Sequence, residues 1–153
     1  MIRTSATGSG NEEGLSMHSD RPPSVLVVDD NRDHNQALAK IFERAGYHVT
    51  TAEDGPGALD ILGQRSVDLV LTDLRMPGMN GLDLLRNIRA MSPSTSVVIV
   101  TAFGEWESYI DAIDCGCVDY FNKPVRRTDI LLAARKALAR RGIRAPEVSG
   151  KAP

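Results

Sequence analysis

Cysteine is scarce: the 153 residues contain two, flanking one glycine as Cys115-Gly116-Cys117. That spacing is too short for a relaxed disulfide, and no histidine or second cysteine pair completes a zinc pattern. Two small reduced thiols packed in a core are the expectation. Long apolar runs are missing too; none approaches the ~20 residues that a membrane-spanning helix needs. The N-terminal stretch MIRTSATGSGNEEGLSMHSDRPPS lacks the apolar core of a secretory signal, so the expected location is the cytoplasm. Neither sign of charge dominates, since 18 Lys and Arg face 20 Asp and Glu for a net charge of −2. No global basic field is there to recruit nucleic acid or an anionic membrane.

With 42% hydrophobic and 25% charged residues, the chain has material for one globular domain plus tails. Residues 1–23, rich in Ser, Gly, Asn, Glu and Pro, read as a disordered arm. Pro22-Pro23 stops any helix from running into the domain, expected over 24–141. From Val25 onward, short β-branched or aliphatic runs alternate with helical periodicity. Strands are predicted over 25–28, 47–52, 68–72, 97–100 and 117–121, and helices over 33–45, 55–62, 82–91, 106–115 and 128–140. The first helix should present Ala37, Leu38, Ile41 and Phe42 as its apolar stripe and stop at Gly46; the second should stop at Gly63. Continuous apolar strands separated by helices imply a parallel sheet covered on both faces. Only 11 residues follow Gly142, and 142–153 is expected to be a flexible tail.

Four short pieces make sense together. Asp29-Asp30, Asp73, Thr101 and Lys123-Pro124 each follow an apolar run, where a strand should end. In an open parallel sheet the carboxyl ends of the strands are where ligands collect. Three carboxylates, a hydroxyl and a lysine at one edge are suited to holding a hard divalent cation beside a nucleophilic aspartate. Each piece alone has a plainer meaning. Asp29-Asp30 suits a turn and a helix cap, Asp73 a turn before Met76-Pro77-Gly78, and Lys123 a solvated surface. Adjacent carboxylates at a strand end, however, repel unless a cation offsets them.

Taken in order, Val-Leu-Val-Val-Asp29-Asp30, Leu-Thr-Asp73-Leu-Arg-Met-Pro-Gly-Met-Asn-Gly, Val-Ile-Val-Thr101-Ala-Phe-Gly and Asp-Tyr120-Phe-Asn-Lys123-Pro124 resemble the receiver domain of two-component response regulators. The resemblance covers residues 24 to about 141. It implies an α/β fold, a flavodoxin-like (βα)5 doubly wound parallel sheet of strand order 2-1-3-4-5, an order for which a member of this same family is a standard example. It further implies that Asp73 accepts a phosphoryl group from a sensor histidine kinase or histidine phosphotransferase. Asp30 and Asp73 would bind Mg²⁺ directly, the backbone carbonyl of Arg75 would be a third ligand, and Asp29 would act through water. Thr101 and Lys123 would contact the phosphoryl group, the Lys123-Pro124 bond would be cis, and Thr101 with Tyr120 would form the switch. Signalling would pass through the face made by helix four, strand five and helix five to a downstream protein, compatible with a homodimer forming on phosphorylation. Such a domain catalyses only its own phosphorylation and dephosphorylation and is otherwise not an enzyme.

The alternative is a Mg²⁺-dependent aspartyl-phosphate phosphohydrolase. Such an enzyme normally carries an acidic residue two positions after its nucleophile, where this chain has Arg75, and no insertion is long enough for a substrate cap. Gly55-Pro56-Gly57 and Gly78-Met79-Asn80-Gly81 lack the lysine and hydroxyl of a phosphate-binding loop. His18, His34 and His48 match no ligand set and read as ordinary. The basic stretch Arg135-Lys136, Arg140-Arg141 and Arg144 suits a helix end and lacks the interleaved aromatics of a nucleic-acid patch, so no direct nucleic-acid binding is expected.

Overall fold

The computed structural model describes residues 21–147. Among these, strands β1 Ser24–Val28, β2 His48–Ala52, β3 Leu69–Thr72, β4 Ser96–Thr101 and β5 Asp119–Asn122 alternate with helices α1 Arg32–Arg44, α2 Gly55–Gln64, α3 Gly81–Met91, α4 Trp106–Asp114 and α5 Arg127–Ala139. Every pairing is parallel, in the order β2-β1-β3-β4-β5. This is the flavodoxin-like order that the resemblance implies. It puts β1 and β3 side by side at the centre, with Val28 level with Thr72. The residues just beyond them, Asp29 and Asp73, therefore share one edge.

The three central strands, β1, β3 and β4, are mostly apolar because both their faces are buried. Leu26, Val28, Val70, Val97 and Ile99 face one core cluster with Ala58, Leu84, Leu85, Ile88 and Ala112 of α2, α3 and α4. Val25, Val27, Leu69, Leu71, Val98 and Val100 face the other, against Phe42 of α1 and Ile130, Ala134 and Leu138 of α5. Each Val, Leu, Ile or Phe among them, fully removed from water, contributes ~1.5–3 kcal/mol. The burial is continuous along the central strands, so their tips are rigid platforms.

Helix starts are fixed by short polar caps. Asn31 accepts from His34 N–H at 3.0 Å, Asp54 from Gly57 N–H at 2.8 Å and Asn80 from Asp83 N–H at 2.8 Å, each cap being worth ~1 kcal/mol. The cap of α1 is thus Asn31, not Asp29 or Asp30, which leaves those carboxylates free for another task. Gly46 ends α1 with φ +98°, a conformation that favours glycine.

Apart from one-residue shifts at element ends, one helix face and two boundaries differ from expectation. α1 buries Asn35, Ala39 and Phe42, while Ala37 is exposed and Leu38 and Ile41 are half-buried. Asn35 turns inward because its Nδ2 donates to the Asp29 and Ala52 carbonyls, at 3.0 and 2.9 Å. α2 runs through Gly63 to Gln64 and ends where Arg65 becomes extended. β5 starts at Asp119, because the Cys117 N–H closes the end of α4 on the Ala112 carbonyl at 3.0 Å. Cys115 and Cys117 are free thiols, half-buried and buried, as a packed core requires. Of the arm expected over 1–23, all but Arg21–Pro23 lies outside the described residues, as does 148–153 of the expected tail. The start of that tail is packed: Ile143 and Ala145 rest on the second core cluster.

Candidate functional site

The strand tips bring the predicted residues together. Asp29, Asp30 and Asp73 can each offer a carboxylate oxygen such that all three atoms lie within 4.8 Å of one another. Asp29 and Asp73 are buried and Asp30 is exposed. Asp29 is anchored by accepting the Asn31 N–H on Oδ1 at 2.9 Å. Asp73 accepts the Leu74 N–H on Oδ1 at 2.6 Å, which leaves Oδ2 facing Lys123.

Lys123 lies beyond the end of β5, and its backbone N–H donates to the Thr101 carbonyl at 2.8 Å. The peptide bond to Pro124 is cis. Its Nζ donates to Asp29 Oδ2 at 2.7 Å and to Asp73 Oδ2 at 3.2 Å. Two carboxylates therefore contact one ammonium and a third, that of Asp30, stands beside them, an excess of negative charge that would suit a further cation. The donor set is all oxygen, the chemistry of a hard ion such as Mg²⁺ rather than of a soft one. Among the described residues no hydrogen bond reaches the Arg75 carbonyl oxygen, so it too is free to serve as a metal ligand.

The loop after Asp73 is held closely. The Gly81 N–H donates to the Leu74 carbonyl at 2.7 Å, and a Cβ on Gly81 would stand 2.3 Å from the Asp73 carbonyl oxygen. Only glycine lets α3 start this near the acidic tip.

Thr101 is fully buried, and its hydroxyl accepts the Phe103 N–H at 3.0 Å. Tyr120 packs against the first core cluster, and its hydroxyl is buried without a hydrogen-bond partner. Burial, with the nearby Cys117 adding to it, pushes that hydroxyl above its ordinary pKa. Arg75, two residues after Asp73, is bound to the loop after β4. Its guanidinium donates to Glu105 at 2.8 Å and lies 4.8 Å from the centre of the Phe103 ring.

Two residues of the site carried no signal in the sequence. His34, unmatched with any ligand set there, places Nδ1 3.0 Å from Lys123 Nζ. Asn35 ties the β1 and β2 tips together from a helix position that ordinarily calls for an apolar side chain. His48 is exposed at the start of β2, away from the strand tips, and His18 lies outside the described residues. Beside Lys123 a cavity of about 400 Å³ opens between α1 and the loop after β5, lined by Ala37, Leu38 and Ile41 on one side and Pro124 and Val125 on the other.

Comparison with known proteins agrees with this geometry. Residues 25–135 match the response regulator receiver domain. The transcriptional regulatory protein ZraR of Escherichia coli O157:H7 is 37% identical over 115 residues, which are 75% of this chain but only 26% of that protein. Sporulation initiation phosphotransferase F of Bacillus subtilis is 33% identical over 114 residues, 74% of this chain and 92% of that protein. Among solved structures, a response regulator receiver domain protein from Clostridium thermocellum superposes with a TM-score of 0.75 at 33% identity, covering 78% of this chain and 97% of that one. Among the described residues, no helix is long and apolar enough to cross a membrane.

Proposed function

The chain belongs to the response regulator receiver domain family, and from that membership we propose that it is a phosphoacceptor module loaded at Asp73. The observation that carries the reading is the Asp73 side chain itself. It is buried at a rigid strand tip, with one oxygen on a backbone N–H and the other on Lys123, beside two further carboxylates. The donor is a sensor histidine kinase or a histidine phosphotransferase, and the setting is cytoplasmic.

In this reading an Asp73 oxygen forms the new bond to phosphorus as the donor's imidazole nitrogen leaves. Phosphoryl transfer depends mostly on positioning and charge neutralisation. Lys123 directs an ammonium N–H to a phosphoryl oxygen, and Thr101 exchanges its bond from the Phe103 N–H for one to a phosphoryl oxygen. Asp30, Asp73 and the Arg75 carbonyl would hold Mg²⁺ directly and Asp29 through water. Bound there, the ion neutralises the carboxylates and the incoming phosphoryl charge. Arg75, paired to Glu105, offers no carboxylic acid for a hydrolase's leaving group. The output is partner binding through α4, β5 and α5.

The deciding experiment is labelling with acetyl phosphate and Mg²⁺, followed by intact mass and peptide mapping. One phosphoryl group on Asp73 is expected in the parent and none in Asp73→Asn, which keeps the shape but loses the anionic nucleophile. Labelling of Asp73→Asn at the parental level overturns the assignment. Continuous turnover of a phosphomonoester would favour the hydrolase.

A further inference from the structure

An ammonium has three N–H donors and no acceptor, and three acceptors surround that of Lys123: Asp29 Oδ2 at 2.7 Å, His34 Nδ1 at 3.0 Å and Asp73 Oδ2 at 3.2 Å. Donors and acceptors match, so no N–H remains for an incoming phosphoryl oxygen. One of the three bonds must open first. The two carboxylates add charge to the hydrogen bond, whereas an accepting imidazole is neutral. Asp29 and Asp73 are also buried, while His34 is exposed, so water replaces its contact most readily.

We propose that His34 is a positioning residue for phosphoryl acceptance. Its Nδ1 holds the third donor of Lys123 until a phosphoryl oxygen takes that place. By sharing the ammonium, it also keeps the lysine from closing on the Asp73 nucleophile. The unequal distances to Asp29 and Asp73 agree with such sharing, since the lysine stands nearer the carboxylate that does no chemistry. Helix α1 fixes the imidazole's origin, because the His34 N–H is the donor in the Asn31 cap. With Nδ1 accepting, the ring hydrogen is on Nε2, facing away from the lysine.

This inference rests on Asp73 being the acceptor, and the test separates the two. The full chain and its His34→Leu and His34→Gln variants are labelled with acetyl phosphate and Mg²⁺ over a range of acetyl phosphate concentrations. Losing one exposed hydrogen bond of typical net strength should lower the maximal rate of His34→Leu about fivefold, with the half-saturating concentration and the melting temperature near parental. His34→Gln, whose amide oxygen can accept, should recover to within about twofold of the parent. In the parent at pH 8, nitrogen NMR should find hydrogen on Nε2 and none on Nδ1, and the Nδ1 signal should shift on labelling. A parental rate in His34→Leu, an equally slow His34→Gln, or a hydrogen on Nδ1 overturns the proposal. A parent that is never labelled at Asp73 overturns the acceptor reading, and this one with it.

Discussion

The rings of Tyr109 and Tyr120 meet edge to face, with centroids 5.4 Å apart and planes at 87°. Trp106 stacks on the outer side of Tyr109 at 5.6 Å and is 73% exposed. An aromatic chain thus runs from the core side of β5 to the surface of α4. Because edge-to-face pairs have a preferred geometry, a shift of Tyr120 repositions Tyr109 and the indole upon it. Acetyl phosphate with Mg²⁺ should therefore change the emission of Trp106, the chain's single tryptophan. Tyr109→Ala should lose most of that change while still being labelled. An undiminished response in Tyr109→Ala would show that the signal reaches Trp106 by another route.

Thr101 lies on the strand beside Tyr120 and pairs with Asn122, two residues further on. Its hydroxyl now accepts the Phe103 N–H, and exchanging that bond for one to a phosphoryl oxygen moves the tip of β4. The Tyr120 hydroxyl is already buried, so a shift at Thr101 would act by stabilising an inward ring rather than by drawing one in. Thr101→Ala should accept phosphate on Asp73 yet lose most of the fluorescence response and of the phosphorylation-dependent gain in partner affinity, a coupling of about 1–3 kcal/mol. Retention of the full gain would remove Thr101 from the switch.

The carboxylate excess gives a metal prediction. Without a divalent ion, Asp30→Ala should raise the melting temperature, because it relieves repulsion from Asp29 and Asp73. Mg²⁺ at a hundred times its dissociation constant should stabilise the parent by about 2.7 kcal/mol and Asp30→Ala far less. Melting curves in EDTA and in Mg²⁺ measure both effects. Equal stabilisation of parent and variant would mean that the ion sits elsewhere.

Cys117 provides a pH dependence. Burial, reinforced by the Asp119 charge, pushes its thiol up to about 11 from an ordinary 9.0. The folded state therefore favours the protonated thiol. That stability is complete below about pH 9, where the thiol is protonated in both states. It is lost as pH rises from about 9 towards 11, where the unfolded chain ionises first. Denaturant midpoints of the parent should fall across this window more than those of Cys117→Ala. Parallel profiles would mean that the thiol is not held protonated.

Much of this was legible in the sequence, and the misses share a cause. The central strands could be read because burial on both faces leaves nothing but apolar residues in Val25–Val28, Leu69–Leu71 and Val97–Val100. The Asp29, Asp73, Thr101 and Lys123 positions could be read because each ends such a run. The strand order came only through the resemblance, since periodicity says nothing of which strands are neighbours. Asn35 and His34 could not be read: the bonds that place them join residues 6 to 89 positions apart. The start of β5 was missed because Cys117 is apolar and buried, as a strand residue would be, although its N–H belongs to the turn that ends α4.

The last prediction concerns how long a phosphoryl group on Asp73 would survive. Arg75 follows Asp73 by two positions and Phe103 follows Thr101 by two, and the guanidinium lies against the ring, 4.8 Å from its centre. Glu105 holds the far side of that guanidinium at 2.8 Å. Committed to both neighbours, the arginine would act as a cover and would not be free to orient an attacking water. Hydrolysis requires that cover to move aside. An exposed cation–π contact is worth ~0.5–1 kcal/mol, which converts to a rate effect of about two- to fivefold. The Arg75→Ala, Phe103→Ala double variant should lose its label faster by about that factor. Glu105→Gln, which keeps the stacking but weakens the anchor, should fall between it and the parent. Following loss of the label after removal of excess acetyl phosphate gives the rates directly. A double variant that decays at the parental rate or more slowly would show that Arg75 assists water instead of excluding it.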